Sequence, residues 1–171
     1  MVRLLNTFVD ICLLRVGPQQ LPASISLLVA TLAAYVMVGI VLARPLLPGL
    51  DPRLFAAIDT LLLLGFIWFA LSFKGYYRRF IQTATAFAGT NVLLNAIAWL
   101  LLSWQARLAA QGVANELPAL LLLAHLVWHV AVISNIVRHA LSVSLAWGWG
   151  ISLLYLFVYT LLIRLIMVAL S

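Results

Sequence analysis

Three histidines lie close together in the passage AHLVWHVAVISNIVRHALSV, which runs from Ala124 to Val143. At about 100° per residue in a helix, His125, His129 and His139 share one face. His125 and His129 are close enough to hold one metal ion together, although no acidic residue or cysteine is near them to complete the site. His125 and His139 are separated by about 21 Å of helical rise and cannot share an ion. Imidazoles in such a pattern can bind a metal, carry protons or form hydrogen bonds.

The spacing of His125 and His139 resembles that of the paired histidines in membrane cytochromes of the b type. In that family two such helices face each other and ligate two haems. The resemblance implies a haem-binding electron-transfer subunit. Since this sequence contains one such helix, a haem site would need a second copy of the chain or a partner subunit.

A structural role is the alternative, because an imidazole deep in an apolar helix needs a hydrogen-bond partner. Asn91 and Asn95 are the expected partners, since antiparallel helices joined by a short loop tend to pack together. We therefore predict that His125 and His129 are neutral, and that they bind neither a metal nor a cofactor. His139 is predicted to lie in the turn that follows, in contact with solvent.

Asp59, in the passage LFAAIDTLLLLG, is the acidic residue placed deepest in an apolar run. Ionisable groups inside a membrane are costly and often functional, so this carboxylate is a candidate for proton transfer or ion binding. Two structural readings compete with that one. The membrane border lies near Thr60, or the carboxylate pairs with Arg53 or Arg44.

A polar stripe follows the third apolar run, where Thr83, Thr90, Asn91 and Asn95 fall on one helical face with Phe87 between them. Such a face can line a substrate cavity. Asparagine and threonine on a membrane helix more often form hydrogen bonds between helices. Both readings place this face against another part of the bundle.

The composition indicates a membrane protein: 66% of the 171 residues are hydrophobic and 8% are charged. A typical soluble domain is about 45–50% apolar and about 25% charged. The net charge of +6 comes from basic residues in the short gaps between apolar runs, which favours contact with anionic lipid and not with nucleic acid. The single cysteine, Cys12, excludes a disulfide within the chain.

Residues 1–15 are predicted to form an amphipathic helix in the membrane surface, because Arg3, Asn6, Thr7 and Asp10 lie on one stripe. Five apolar runs follow, each about the 20 residues that cross a bilayer. No ten-residue alternation typical of a membrane barrel recurs. We therefore predict an all-α, five-helix transmembrane bundle in a single membrane domain. Its spans cover about 22–43, 54–73, 80–104, 117–137 and 140–163.

Lysine and arginine in the short loops predict the orientation. Four of the basic residues fall on the side opposite the N-terminus, and six fall on the N-terminal side: Arg3, Arg15, Lys74, Arg78, Arg79 and Arg138. The cluster KGYYRR is the strongest part of this bias. The prediction is a bacterial inner-membrane protein with a cytoplasmic N-terminus.

Small residues recur at spacings of four in the last run: Ala140, Ser144, Gly148 and Ser152. Small side chains on one face allow close contact between membrane helices. We predict that these four residues form a helix-packing face.

No enzyme motif is recognisable, and four carboxylates leave few groups for acid–base catalysis. We predict a non-enzymatic accessory or scaffold subunit that binds the lipid bilayer and other membrane proteins, or itself. The first alternative is a small transporter or proton-linked carrier that uses Asp59, Asn91, Asn95 and the histidine face. The second is the haem-binding subunit described above.

The last two runs, with Trp128, VAVISNIV and RHALSVSLAWGWGISLLY, resemble the Yip1 family. The passage RRFIQTATAFAGTNVLL is compatible with that resemblance. The resemblance to the Yip1 family covers about half of the chain and implies a five-span integral membrane protein with a cytoplasmic N-terminus.

Overall fold

The computed structural model describes residues 2–46, 51–113 and 115–170, and these residues are almost entirely helical, with no strand among them. The all-helical prediction is confirmed. The six α-helices are α1 (Val2–Cys12), α2 (Ile25–Leu46), α3 (Pro52–Phe73), α4 (Phe80–Ala110), α5 (Leu117–Leu141) and α6 (Leu145–Leu170). Two 3-10 turns, Pro18–Gln20 and Tyr77–Arg79, precede α2 and α4.

Five of these helices, α2 to α6, are long and apolar enough to cross a membrane. The break between α5 and α6 lies at a different position from the predicted break. Ser142 adopts the left-handed conformation, with φ at 53°, and its N–H donates to the Arg138 carbonyl. This cap ends α5 at Leu141, so α6 begins at Leu145 and not at Ala140.

The core surrounds the first half of α4, where every residue from Thr83 to Asn91 is buried. This helix packs mainly against α2 and α5, while α3 packs against α2. The last helix packs mainly against α5. It reaches α3 through Phe66 and Tyr155, whose ring centroids are 4.2 Å apart.

The segment from α1 to the first 3-10 turn is anchored on α4 and α5. Phe8, Ile11 and Cys12 are buried, and Phe8 fills the space beside Gly89 where any side chain would collide with its ring. Three polar side chains hold the backbone that follows by donating to carbonyl groups. The bonds are Trp128 Nε1 to Cys12 at 2.8 Å, Asn135 Nδ2 to Val16 at 2.9 Å and Gln82 Nε2 to Leu21 at 2.7 Å.

Candidate functional site

A polar seam joins Asn91 of α4 to His129 of α5, with His125 one turn before His129. His129 Nε2 lies 2.7 Å from Asn91 Oδ1. Asn91 Nδ2 donates to the Phe87 carbonyl at 2.8 Å, which fixes the orientation of the amide. Because the amide oxygen can only accept, His129 carries its proton on Nε2 and donates to Asn91.

His125 lies one turn from His129 and has different surroundings. It is 8% exposed, and neither ring nitrogen has a hydrogen-bond partner among the described residues. Its ring meets His129 edge-on, with centroids 5.8 Å apart, and Trp128 in the same way at 6.0 Å. Asn95, the other expected partner, forms no hydrogen bond with it within the described chain. The predicted hydrogen-bonded state is therefore observed for His129 and not for His125.

His139 is separated from the seam and lies in the last turn of α5, which corrects its predicted place in the loop. It is half-buried, and its Nδ1 is 2.8 Å from the Asn135 carbonyl oxygen. Gly17 allows this packing, since a Cβ at that position would lie within 3 Å of the His139 side chain.

The seam supplies two imidazoles and one amide as possible metal ligands. Within the described residues no group of three or more histidine, cysteine, aspartate or glutamate side chains is arranged to hold a metal ion. Ligation through His129 Nε2 would break its hydrogen bond to Asn91.

Asp59 lies in a second buried polar cluster, between α2, α3 and α6. It is 8% exposed and accepts a hydrogen bond from the Tyr35 hydroxyl. Tyr159 of α6 approaches the same carboxyl group. Neither Arg53 nor Arg44 forms an ion pair with Asp59. Among the described residues, the ion pair that forms joins Arg15 to Asp10. The arginine pairing considered above is therefore not observed.

The predicted small-residue face is divided between two helices and a turn. Ala140 belongs to α5, and Ser144 is exposed before α6 begins. Gly148 and Ser152 are both buried on α6. A Cβ on Gly148 would lie 2.8 Å from the Ser134 carbonyl oxygen of α5. Two of the four residues thus share a packed face of α6, and the other two do not extend it.

An apolar groove between α3 and α6, about 780 Å³ in volume, was not anticipated from the sequence. Gly65 and Phe69 lie on its α3 side, and Tyr155 and Val158 lie on its α6 side. Lys74 also lines it, at the end of α3. The sequence signal for this groove was Gly65, a glycine inside an uninterrupted apolar run.

A smaller pocket of about 230 Å³ lies where α4 begins and α5 ends. We call it the Arg79 pocket. Its polar lining consists of Gln19, Arg79, Gln82, Thr83, His139 and Ser142. In the sequence, Thr83 belongs to the polar stripe and Arg79 to the basic cluster. Their spacing does not indicate that they line one pocket with Gln19.

No protein-family model, curated protein or solved structure matches this chain.

Proposed function

We propose that the chain is a non-enzymatic multi-pass membrane protein that binds a transmembrane helix of another membrane protein in the groove between α3 and α6. The observation that carries this proposal is Gly65. It lies in the groove, it is exposed, and no atom lies within 4 Å of the position its Cβ would occupy.

A glycine inside a helix costs about 1 kcal/mol relative to alanine, so an internal glycine usually has a packing reason. Gly89 makes room for Phe8, and Gly148 makes room for the backbone of α5 at Ser134. Gly65 and Gly150 have no such neighbour within the described chain, and of these two Gly65 is the one that lines the groove. A small residue in an open lateral groove suits the close approach of a second helix backbone.

The dimensions and chemistry of the groove support the same proposal. Its α3 wall runs from Leu61 to Lys74, which is about 20 Å of helical rise. The hydrocarbon core of a bilayer is about 30 Å thick, so the groove would cover most of one crossing. Trp147 lines the groove near the start of α6, and Lys74 lines it at the end of α3. Both residue types are favoured at the membrane–water boundary.

The orientation we propose is the one predicted by the basic residues, with the N-terminus in the cytoplasm and the chain in a bacterial inner membrane. The exposed apolar residues Leu5 and Val9 of α1, and Leu13 just after it, would face lipid. The exposed Arg3 and Asn6 would face water. The N-terminal segment that contains α1 would then lie against α4 and α5 at the membrane surface.

The test is Gly65→Leu, with Gly150→Leu as its matched control. Both glycines are exposed on apolar helices and have no atom within 4 Å, but Gly150 does not line the groove. An added Cβ meets no obstacle at either position, so both variants are expected to fold.

The measurement is the size of the complex extracted from native membranes in mild detergent. We expect the wild-type chain and Gly150→Leu to run in a complex larger than one chain, and Gly65→Leu to run alone. A monomeric wild-type chain, or equal behaviour of the two variants, would contradict the proposal. A complex made of this chain alone would replace the foreign partner by a second copy.

A second candidate function rests on Asp59, a buried carboxyl group held by a tyrosine and not by a cation. A proton-linked carrier needs a titratable group in this position. Proton uptake by liposomes that contain the purified chain tests it. Uptake that disappears in Asp59→Asn would favour the carrier over the binding subunit.

A further inference from the structure

The Arg79 guanidinium is held firmly at the edge of its pocket. Its Nη1 donates to the Ala140 carbonyl and to Ser142 Oγ, both at 2.8 Å, and more weakly to the His139 carbonyl at 3.3 Å. Its Cζ lies 4.3 Å above the centroid of the Tyr76 ring. No carboxylate pairs with Arg79 in the part of the chain that the structure describes. The pocket thus has a fixed cation whose charge is not neutralised.

Thr83, one turn further along α4, supplies a hydroxyl group that has no partner. The residue is 3% exposed and lines the pocket, and its Oγ1 makes no hydrogen bond among the described residues. Every other threonine of the chain donates to the carbonyl group four residues before it: Thr7, Thr31, Thr60, Thr85, Thr90 and Thr160. Since a buried polar group without a partner is costly, the exception at Thr83 indicates a missing acceptor.

Ser142 also offers a hydrogen-bond donor in the pocket. Ser142 accepts from Arg79 through its oxygen, which leaves its O–H proton to donate. Hydroxyl donors around a fixed guanidinium are the chemistry that recognises a phosphate oxyanion.

We propose that the Arg79 pocket binds a phosphate-type oxyanion, with Arg79 and the Thr83 hydroxyl as its main contacts. The pocket is separate from the groove between α3 and α6 and does not depend on its function. The same chemistry is present in a free phosphate ion and in the headgroup of an anionic phospholipid. Lys74 and Arg78 lie in the same short connection before α4 as Arg79 and would add to the attraction for either source.

The key variant is Thr83→Val, which keeps the shape of the side chain and removes the hydroxyl. Because that hydroxyl has no partner, the unliganded variant should be at least as stable as the wild-type chain. Thr85→Val is the matched control. Thr85 is also buried on α4, but its hydroxyl bonds to the Ile81 carbonyl at 2.7 Å and it does not line the pocket.

A second variant, Ser142→Gly, removes another donor and suits the positive φ at that position. It keeps the test decisive if Thr83→Val does not fold.

Binding is measured by calorimetry on the purified chain in an uncharged detergent. Inorganic phosphate is compared with chloride at equal ionic strength, and short-chain phosphatidylglycerol is compared with phosphatidylcholine of the same chain length. We expect at least one of the two phosphate compounds to bind. Thr83→Val should weaken that binding by about tenfold, the change expected from losing one hydrogen bond to a charged group. Ser142→Gly should also weaken it, and Thr85→Val should not.

Binding of inorganic phosphate identifies the free ion as the source, and binding of phosphatidylglycerol identifies the lipid. No binding of either compound to the wild-type chain would overturn the proposal. Undiminished binding in both Thr83→Val and Ser142→Gly would overturn it as well.

Discussion

His129 donates its Nε2 proton to Asn91 Oδ1 across the contact between α4 and α5, at a distance of 2.7 Å. The Asn91 amide is held in turn by the Phe87 carbonyl. This chain of hydrogen bonds connects α4 to α5. We therefore expect the Asn91–His129 pair to contribute measurably to the stability of the bundle.

Replacing Asn91 by valine should leave the His129 N–H without its acceptor. Hydrogen bonds between membrane helices average about 0.6 kcal/mol and reach about 1.7 kcal/mol in double-mutant cycles. We expect a coupling in that range between Asn91→Val and His129→Phe, measured by unfolding in mixed detergents. Asn95→Val is the control, because the Asn95 side chain makes no hydrogen bond within the described residues. A coupling near zero would show that the Asn91–His129 bond contributes no net stability.

Gly148→Leu should destabilise the packing of α6 on α5. A Cβ at this position would lie 2.8 Å from the Ser134 carbonyl oxygen and 3.1 Å from Arg138 Cβ, and overpacking of this kind typically costs about 1–3 kcal/mol. A Cβ on Gly150, two residues away, would meet no atom within 4 Å. Gly150→Leu should therefore be neutral or slightly stabilising. Thermal unfolding in detergent compares the two. Equal midpoints would mean that α6 does not pack as described.

Asp59→Asn should preserve the fold, because the amide oxygen can still accept the hydrogen bond from Tyr35. Asp59→Leu removes the acceptor and leaves the buried tyrosine hydroxyl unpaired, at a cost of about 1–3 kcal/mol. The free energies of unfolding of the two variants test this difference. A loss in Asp59→Asn as large as in Asp59→Leu would indicate that the negative charge itself holds the cluster together.

The stability of the chain should fall as the pH rises from about 9 to 11, with Cys12 contributing to the loss. Burial raises the pKa of the Cys12 thiol from 9.0 to about 11. In this interval the unfolded chain has released the proton and the folded chain still holds it, so raising the pH favours unfolding. The contribution is fully present below pH 9 and is lost as the pH approaches 11. Cys12→Ala should flatten the profile of unfolding midpoint against pH, and an unchanged profile would show that the thiol contributes nothing.

The topology prediction places the two termini on opposite sides of the membrane. A reporter that is active only in the periplasm should work when fused after Ser171 and fail when fused before Met1. A reporter active only in the cytoplasm should give the reverse pattern. Activity of the cytoplasmic reporter at the C-terminal end would contradict either the number of crossings or the orientation.

The helices were predictable from the amino-acid pattern, because a run of about 20 apolar residues satisfies its backbone hydrogen bonds in lipid by forming a helix. The sequence also indicated the antiparallel neighbours α4 and α5, since a short loop joins them, and so made the meeting of Asn91 with His129 foreseeable. The break between α5 and α6 was placed too early. The chain turns at Ser142, which adopts φ 53°, a backbone conformation that is uncommon for residues other than glycine.

The surfaces shared between distant parts of the chain were not predictable from the sequence and depend on how the helices pack. Gly65 and Tyr155 line one groove although 90 residues separate them, and Gln19, Thr83 and Ser142 meet in one pocket from three segments. In a helix of uniform apolar character nearly every face is equally hydrophobic, so the pattern of side chains does not say which face meets a neighbour. The packing of bulky side chains such as Phe8 against Gly89 makes that choice. The unpaired Thr83 hydroxyl is visible only once the rotamer and the neighbours of that side chain are known.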